Sequence, residues 1–103
     1  MYKISVLGVG NMAKAIIGGV VRSAMDVSSI VLFDKNQRQY SDLEMLDYKF
    51  IYANCVSDAL CNSDIVLLSV KPQNYDELLS EITSLPDYDK KTYISTRKNV
   101  EKG

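Results

Sequence analysis

Val6-Leu7-Gly8-Val9-Gly10-Asn11-Met12-Ala13 decides how this chain folds: a Gly-x-Gly-x-x-Ala turn follows the apolar run Ile4 to Leu7 and precedes a stretch with helical spacing. The glycines alone are a weak signal, and an ordinary strand-to-helix turn with no ligand competes for them. A strand before them and a helix after them make them a phosphate-cradling motif. In that motif Gly8 lets the strand turn sharply, Gly10 lets the pyrophosphate of a dinucleotide touch bare backbone, and Ala13 lets the helix pack close to the strand. The helix start adds unpaired N–H groups and a positive dipole end.

Outward from this turn, apolar runs alternate with helically spaced segments, the pattern of a parallel sheet wrapped by helices. Strands are expected over residues 2–7, 30–33, 49–52, 64–70 and 92–95. Helices are expected over 11–24, with Met12, Ile16, Gly19 and Val20 on the buried face, and over 36–46, with Tyr40, Leu43 and Leu46 inward. A brief helix is expected over 57–61, and another over 74–85 with Leu78, Leu79 and Ile82 inward. Pro72 closes the fourth strand, because proline lacks the N–H that continues a ladder. The fold class is α/β: a Rossmann-like three-layer fold, a mostly parallel sheet of about five strands with helices on both faces. Residues 1–95 form one NAD(P)-binding domain, and residues 96–103, nearly devoid of apolar side chains, a frayed tail.

Composition narrows the function. A chain of 103 residues, 47% hydrophobic and 24% charged, is an ordinary globular domain. Its formal charge of -1 provides no field for gripping polyanions, so nucleic acid is not an expected partner. Cys55 and Cys61 are the two cysteines and histidine is absent, so neither a zinc site nor a redox dithiol is expected. Both thiols read as buried and free, in a reducing compartment. Without histidine the commonest acid–base group near neutral pH is missing, and no catalytic side chain is identifiable. The apolar runs after the first strand, of which Ile65 to Leu68 is the densest, are far below the ~20 residues of a membrane span, and a cytoplasmic location is expected.

Three further rim positions bear on a dinucleotide. Asp34 stands 21 residues beyond Ala13, near the interval at which a carboxylate meets the adenosine ribose. It would favour NAD, repelling a 2′-phosphate by roughly 1 kcal/mol per unit charge at 4 Å in water. Lys35 and Arg38 would reverse that balance if they face the ribose, so the local residues leave the preference open; Asp34 also suits a helix N-cap. Ser69-Val70-Lys71-Pro72-Gln73 sits on the same rim, with Lys71 either a cofactor-facing charge or a solvated lysine. Asn54 either bonds the ribose or makes an Asx-turn, the turn being the stronger reading. Asp76, Glu77 and Glu81 read as a solvated helix face, and the seven tyrosines as packing residues.

Two separated stretches, Gly8-Val9-Gly10-Asn11-Met12-Ala13-Lys14-Ala15-Ile16-Ile17-Gly18-Gly19 and Asp64-Ile65-Val66-Leu67-Leu68-Ser69-Val70-Lys71-Pro72-Gln73, resemble in order the two hallmarks of the pyrroline-5-carboxylate reductase family. The resemblance covers about residues 3 to 95. It implies cofactor binding by Leu7, Gly8, Val9, Gly10, Asn11, Met12 and Ala13, and by Ser69, Val70, Lys71 and Pro72. Asp34, Lys35 and Asn36, at the end of the second strand, would lie at the ribose. The family usually prefers NADPH and often has Asp, Arg, Asn at that strand end. With Lys35 in place of the arginine, NADP(H) is expected, and NAD(H) is the alternative. The implied reaction is hydride transfer to a cyclic imine, giving proline, with the hard chemistry residing in the cofactor.

The departures from that family also set expectations. After Ser95 the family continues with small residues and glycine, whereas this chain reads Thr96-Arg97-Lys98-Asn99. The family's helical second domain, which makes its dimer and most of its substrate pocket, is absent. The chain therefore reads as a truncated product, a fragment, or the nucleotide half of a split reductase, taking an imine substrate only if the missing domain is supplied. A non-catalytic nucleotide-sensing or interaction module, or another NADP-linked reductase such as one acting on a deazaflavin, are the rival readings. Uncovered apolar surface and the rim of the fifth strand also suggest self-association.

Overall fold

The computed structural model describes residues 2–23, 27–46, 48–61, 63–86 and 88–95. Strands β1 (Tyr2–Leu7), β2 (Val27–Phe33), β3 (Ile51–Tyr52), β4 (Ile65–Leu68) and β5 (Thr92–Ser95) form one sheet in the order β3-β2-β1-β4-β5. Every neighbouring pair is parallel. Helices α1 (Asn11–Arg22), α2 (Val56–Leu60) and α3 (Tyr75–Thr83) connect them, with short 3-10 segments at Gln37–Leu43, Pro72–Asn74 and Tyr88–Lys90. This is the Rossmann-like α/β architecture read from the sequence. The chain builds outward from β1 to β3, then returns to lay β4 on the other side of β1. The carboxyl ends of β1 and β4 therefore flank the topological switch point, where such sheets open a crevice.

Strand alternation explains the two layers of helices. Ile4 and Val6 of β1, Ile30 and Leu32 of β2 and Leu67 of β4 pack with Ala13 and Ile17 of α1. Leu7, Val31, Val66 and Leu68 point the other way, into a second cluster with Val56, Ala59 and Leu60 of α2 and Tyr75, Leu78 and Ile82 of α3. The buried Ser5 hydroxyl on that face contacts the Ala59 carbonyl and the Ser63 hydroxyl, and Ser63 itself donates to Ala59 (3.1 Å), so the polar groups under α2 are satisfied. The Tyr75 hydroxyl donates to the Leu68 carbonyl (3.0 Å) and meets Ser95 Oγ at 2.5 Å, tying the start of α3 to the ends of β4 and β5.

Several expectations are corrected. The buried face of α1 is Ala13, Ile17 and Gly18, while Met12 and Ile16 are 59% and 39% exposed. Ala13 sets the phase: its small side chain, fully buried, brings the helix against the sheet, and Ile17 follows one turn on. On α3 the inward stripe is Tyr75, Leu78 and Ile82, and Leu79 is exposed. The segment expected as a helix over 36–46 is a 3-10 helix only, Gln37–Leu43, with Asn36 accepting from the Arg38 N–H (3.2 Å). Strand β2 starts at Val27, earlier than expected, and β3 is two residues long. Cys55 and Cys61 are exposed, not buried, because α2 spends its inward positions on Val56, Ala59 and Leu60 and leaves its flanking residues outside. Residues 96–103 and the expected last residue of the first helix lie outside the described residues.

Candidate functional site

Gly8 follows β1 with φ +91°, a conformation that side-chain-bearing residues rarely adopt. A Cβ at this position would stand 2.5 Å from the Ser69 carbonyl oxygen and 2.7 Å from its carbon. The bare backbone of Gly8 is what lets the loops after β1 and β4 touch. The Gly8 N–H donates to the Phe33 carbonyl and the Ser69 N–H to the Leu7 carbonyl, both at 2.8 Å, lacing the ends of β2, β1 and β4 together.

Gly10 differs. It is the extended N-cap of α1 (φ -85°, ψ -173°), and a Cβ on it would meet nothing within 4 Å. No side chain caps the helix and no acidic residue stands in its first turn, so its first N–H groups have no side-chain acceptor within the helix. This end borders the crevice between β1 and β4.

Asp34 closes the second side. Its Oδ2 accepts from the Val9 N–H (2.6 Å) and its Oδ1 from the Asn36 N–H (2.7 Å), so the carboxylate pins the glycine turn to the end of β2. The helix cap belongs to Asn36 and not to Asp34. The Tyr40 hydroxyl accepts from the Asp34 N–H (2.8 Å), and burial pushes this phenol above its ordinary pKa. Lys14 pairs with Asp42 (2.6 Å) and donates to Gln39 Oε1 (2.9 Å), fastening the 3-10 segment to α1.

These elements enclose a cleft of about 290 Å³. Leu7, Gly8 and Gly10 form its floor; Asp34, Lys35 and Asn36 line one side, and Ser69, Val70 and Lys71 the other. Nine of the fifteen residues singled out in the sequence thus meet in one crevice. The remaining six do not line it. Val9 is wholly buried, its N–H held by Asp34, and Ala13 is buried on the sheet-facing side of α1. Asn11, Met12 and Pro72 are exposed beside the cleft elements, and Asn54 is exposed in the turn before α2, its N–H directed to Asp58 (3.5 Å).

Phe33, Gln39, Val56, Asn74, Glu77, Leu78 and Glu81 also line the cleft and were not singled out for it. Glu77 and Glu81 correct the reading of α3 as a merely solvated face: one helical turn apart, they flank the buried Leu78 and reach the crevice. Glu77 Oε1 lies 3.0 Å from Lys35 Nζ, and this hydrogen bond and its charge raise the lysine's pKa. Lys71 is exposed and has no ion pair among the described residues. Among the described residues no three sulfur or acidic side chains gather as a metal site, and no helix is long and apolar enough to cross a membrane.

A narrow crevice floored by glycine backbone and faced by a helix N-terminus can accept an anionic, extended ligand. Known proteins are similar to this chain in sequence and in fold. The family model described as NADP oxidoreductase, coenzyme F420-dependent, matches residues 3–99. Similar curated proteins are the pyrroline-5-carboxylate reductases of Haemophilus influenzae, 34% identical over 92 residues (89% of this chain, 33% of that protein), and of Corynebacterium melassecola, 30% identical (84% and 32%). The chain therefore spans about a third of the length of the curated relatives it matches. The solved 1-pyrroline-5-carboxylate reductase of Streptococcus pyogenes superposes with a TM-score of 0.62 at 30% identity, covering 78% of this chain and 29% of that one. A reductive aminase from Aspergillus terreus in complex with NADPH and ethyl-5-oxohexanoate gives 0.69 at 13% identity, covering 92% and 31%, a likeness of fold.

Proposed function

Because the chain belongs to the family described as NADP oxidoreductase, coenzyme F420-dependent, we propose that it is the NADP(H)-binding domain of a pyrroline-5-carboxylate reductase. The observation that carries this reading is Gly10: its Cβ direction is open space at the uncapped start of α1. Gly10, Asn11, Met12 and Ala13 would hold the pyrophosphate through backbone N–H groups and the helix dipole, while Leu7, Gly8 and Val9, whose turn is fixed by the Phe33 carbonyl and Asp34, would shape the floor beneath it. Asp34, Lys35 and Asn36 would face the adenosine ribose. Ser69, Val70, Lys71 and Pro72 would form the wall beyond the pyrophosphate. The curated relatives' names support the imine as substrate class. When bound, the coenzyme supplies the hydride; this chain's residues bind and orient it.

The substrate's contacts are assigned to the two thirds of the relatives that this chain does not span, so the chain alone is expected to bind coenzyme without turnover. NADPH emission should rise and shift on titration with the protein. A flat titration into the millimolar range, with folding shown by circular dichroism, would reject the reading. The family description favours one second reading, a deazaflavin in place of the imine, separated by assaying pyrroline-5-carboxylate and coenzyme F420 with the whole gene product.

The same proposal includes a cytoplasmic protein with no nucleic-acid or membrane partner. It also includes self-association through uncovered apolar positions: Met12 and Ile16 on α1 and Ile94, 50% exposed on the edge strand β5. Sedimentation should show a concentration-dependent rise in mean mass, and a clean monomer at high concentration would count against it.

A further inference from the structure

Lys35 follows Asp34 at the end of β2, where the adenosine ribose of a dinucleotide meets a sheet of this kind. From the facing element α3, Glu77 reaches across the sequence to hold the Lys35 ammonium at 3.0 Å. Asp34 has its carboxylate committed to two backbone N–H groups, whereas among the described residues Lys35 and Glu77 bond to each other, with side chains 75% and 68% exposed. Exposed pairs of this kind are weak, so the lysine can change partner. Glu81 lines the same side of the cleft and adds a second negative charge near Lys35.

We propose that Glu77 is a specificity-determining residue that competes with the 2′-phosphate of NADP(H) for Lys35. This rests on the dinucleotide reading of the cleft. With NAD(H), whose ribose carries no charge at that position, the Lys35–Glu77 pair persists. With NADP(H), the phosphate must first draw Lys35 Nζ away from the carboxylate, so the pair is lost on binding. The competition disfavours only the phosphorylated coenzyme and fades with added salt, as exposed charges are screened.

The test is calorimetric titration of the full chain with NADPH and with NADH at low ionic strength, for wild type, Glu77→Gln, Lys35→Met and the double variant. Neutralising Glu77 should tighten NADPH by about three- to fivefold and leave NADH within about twofold, the upper end of what an exposed ion pair is worth at low salt. In the Lys35→Met background the same change should bring less than about a twofold gain, because there is no lysine to contest. An unchanged NADPH-to-NADH ratio in Glu77→Gln, or a gain that persists without Lys35, would overturn the competition while leaving the cleft a dinucleotide site. Failure of folded wild type to bind either coenzyme would remove the dinucleotide reading, and the competition with it.

Discussion

Replacing Gly10 by valine should abolish coenzyme binding while the sheet remains folded. The position is open in the protein alone, so a side chain there meets no neighbour within 4 Å; it occupies space at the start of α1 that the pyrophosphate needs. The dissociation constant for NADPH should rise by at least about a hundredfold, close to 3 kcal/mol. Valine is a poorer N-cap than glycine by about 1 kcal/mol, so a melting temperature lower by about 4–8 °C is the expected side effect. Circular dichroism and NADPH titration on the same sample separate the two. Equal affinity in the variant would make the turn a purely structural device.

Gly8→Ala should do the reverse, damaging the fold before any ligand is considered. Its Cβ would press on the Ser69 carbonyl at 2.5 Å and on Val70 Cγ1 at 2.9 Å, at a φ of +91° that costs a non-glycine residue about 1–2 kcal/mol by itself. Both obstacles belong to the loop after β4, whose first residue is tied to the end of β1 by the Ser69 N–H to Leu7 carbonyl bond. A total loss of about 3–5 kcal/mol is expected, much of the stability of a domain this small. Urea unfolding should show the midpoint falling accordingly. A variant within 1 kcal/mol of wild type would mean that the two loops are not held together as described. The two glycines of one motif thus serve different ends: Gly8 brings protein against protein, and Gly10 leaves room for a ligand.

The sheet was legible because parallel strands buried on both faces leave apolar runs, and because Gly8 and Pro72 punctuate them. The phase of α1 was not. The expected face Met12, Ile16, Gly19, Val20 and the observed face Ala13, Ile17, Gly18 overlap in register on an apolar helix, and periodicity cannot choose between them. The close packing asked of Ala13 by the motif was the signal that could have chosen. Leu79 misled similarly, since a buried tyrosine at position 75 was not weighed against it.

Of the cleft, the residues beside β1 and β4 were readable from local spacing. Glu77 and Glu81 were not, because a charged pair one turn apart looks solvated until the topology sets α3 opposite the end of β2. Gln39 and Asn74 carry no local signal of any kind. The exposure of both cysteines follows from the shortness of α2, which composition does not reveal.

The central claim is that a diphosphate sits on the backbone between Gly8 and Ala13. Amide-resolved NMR of the chain titrated with NADPH tests it most directly. Saturable shifts led by the N–H groups of Gly10, Asn11, Met12 and Ala13, with Ser69 to Lys71 following, are the expected result. Resonances of that turn standing still at millimolar coenzyme, or moving less than those of the opposite end of the sheet, would contradict it.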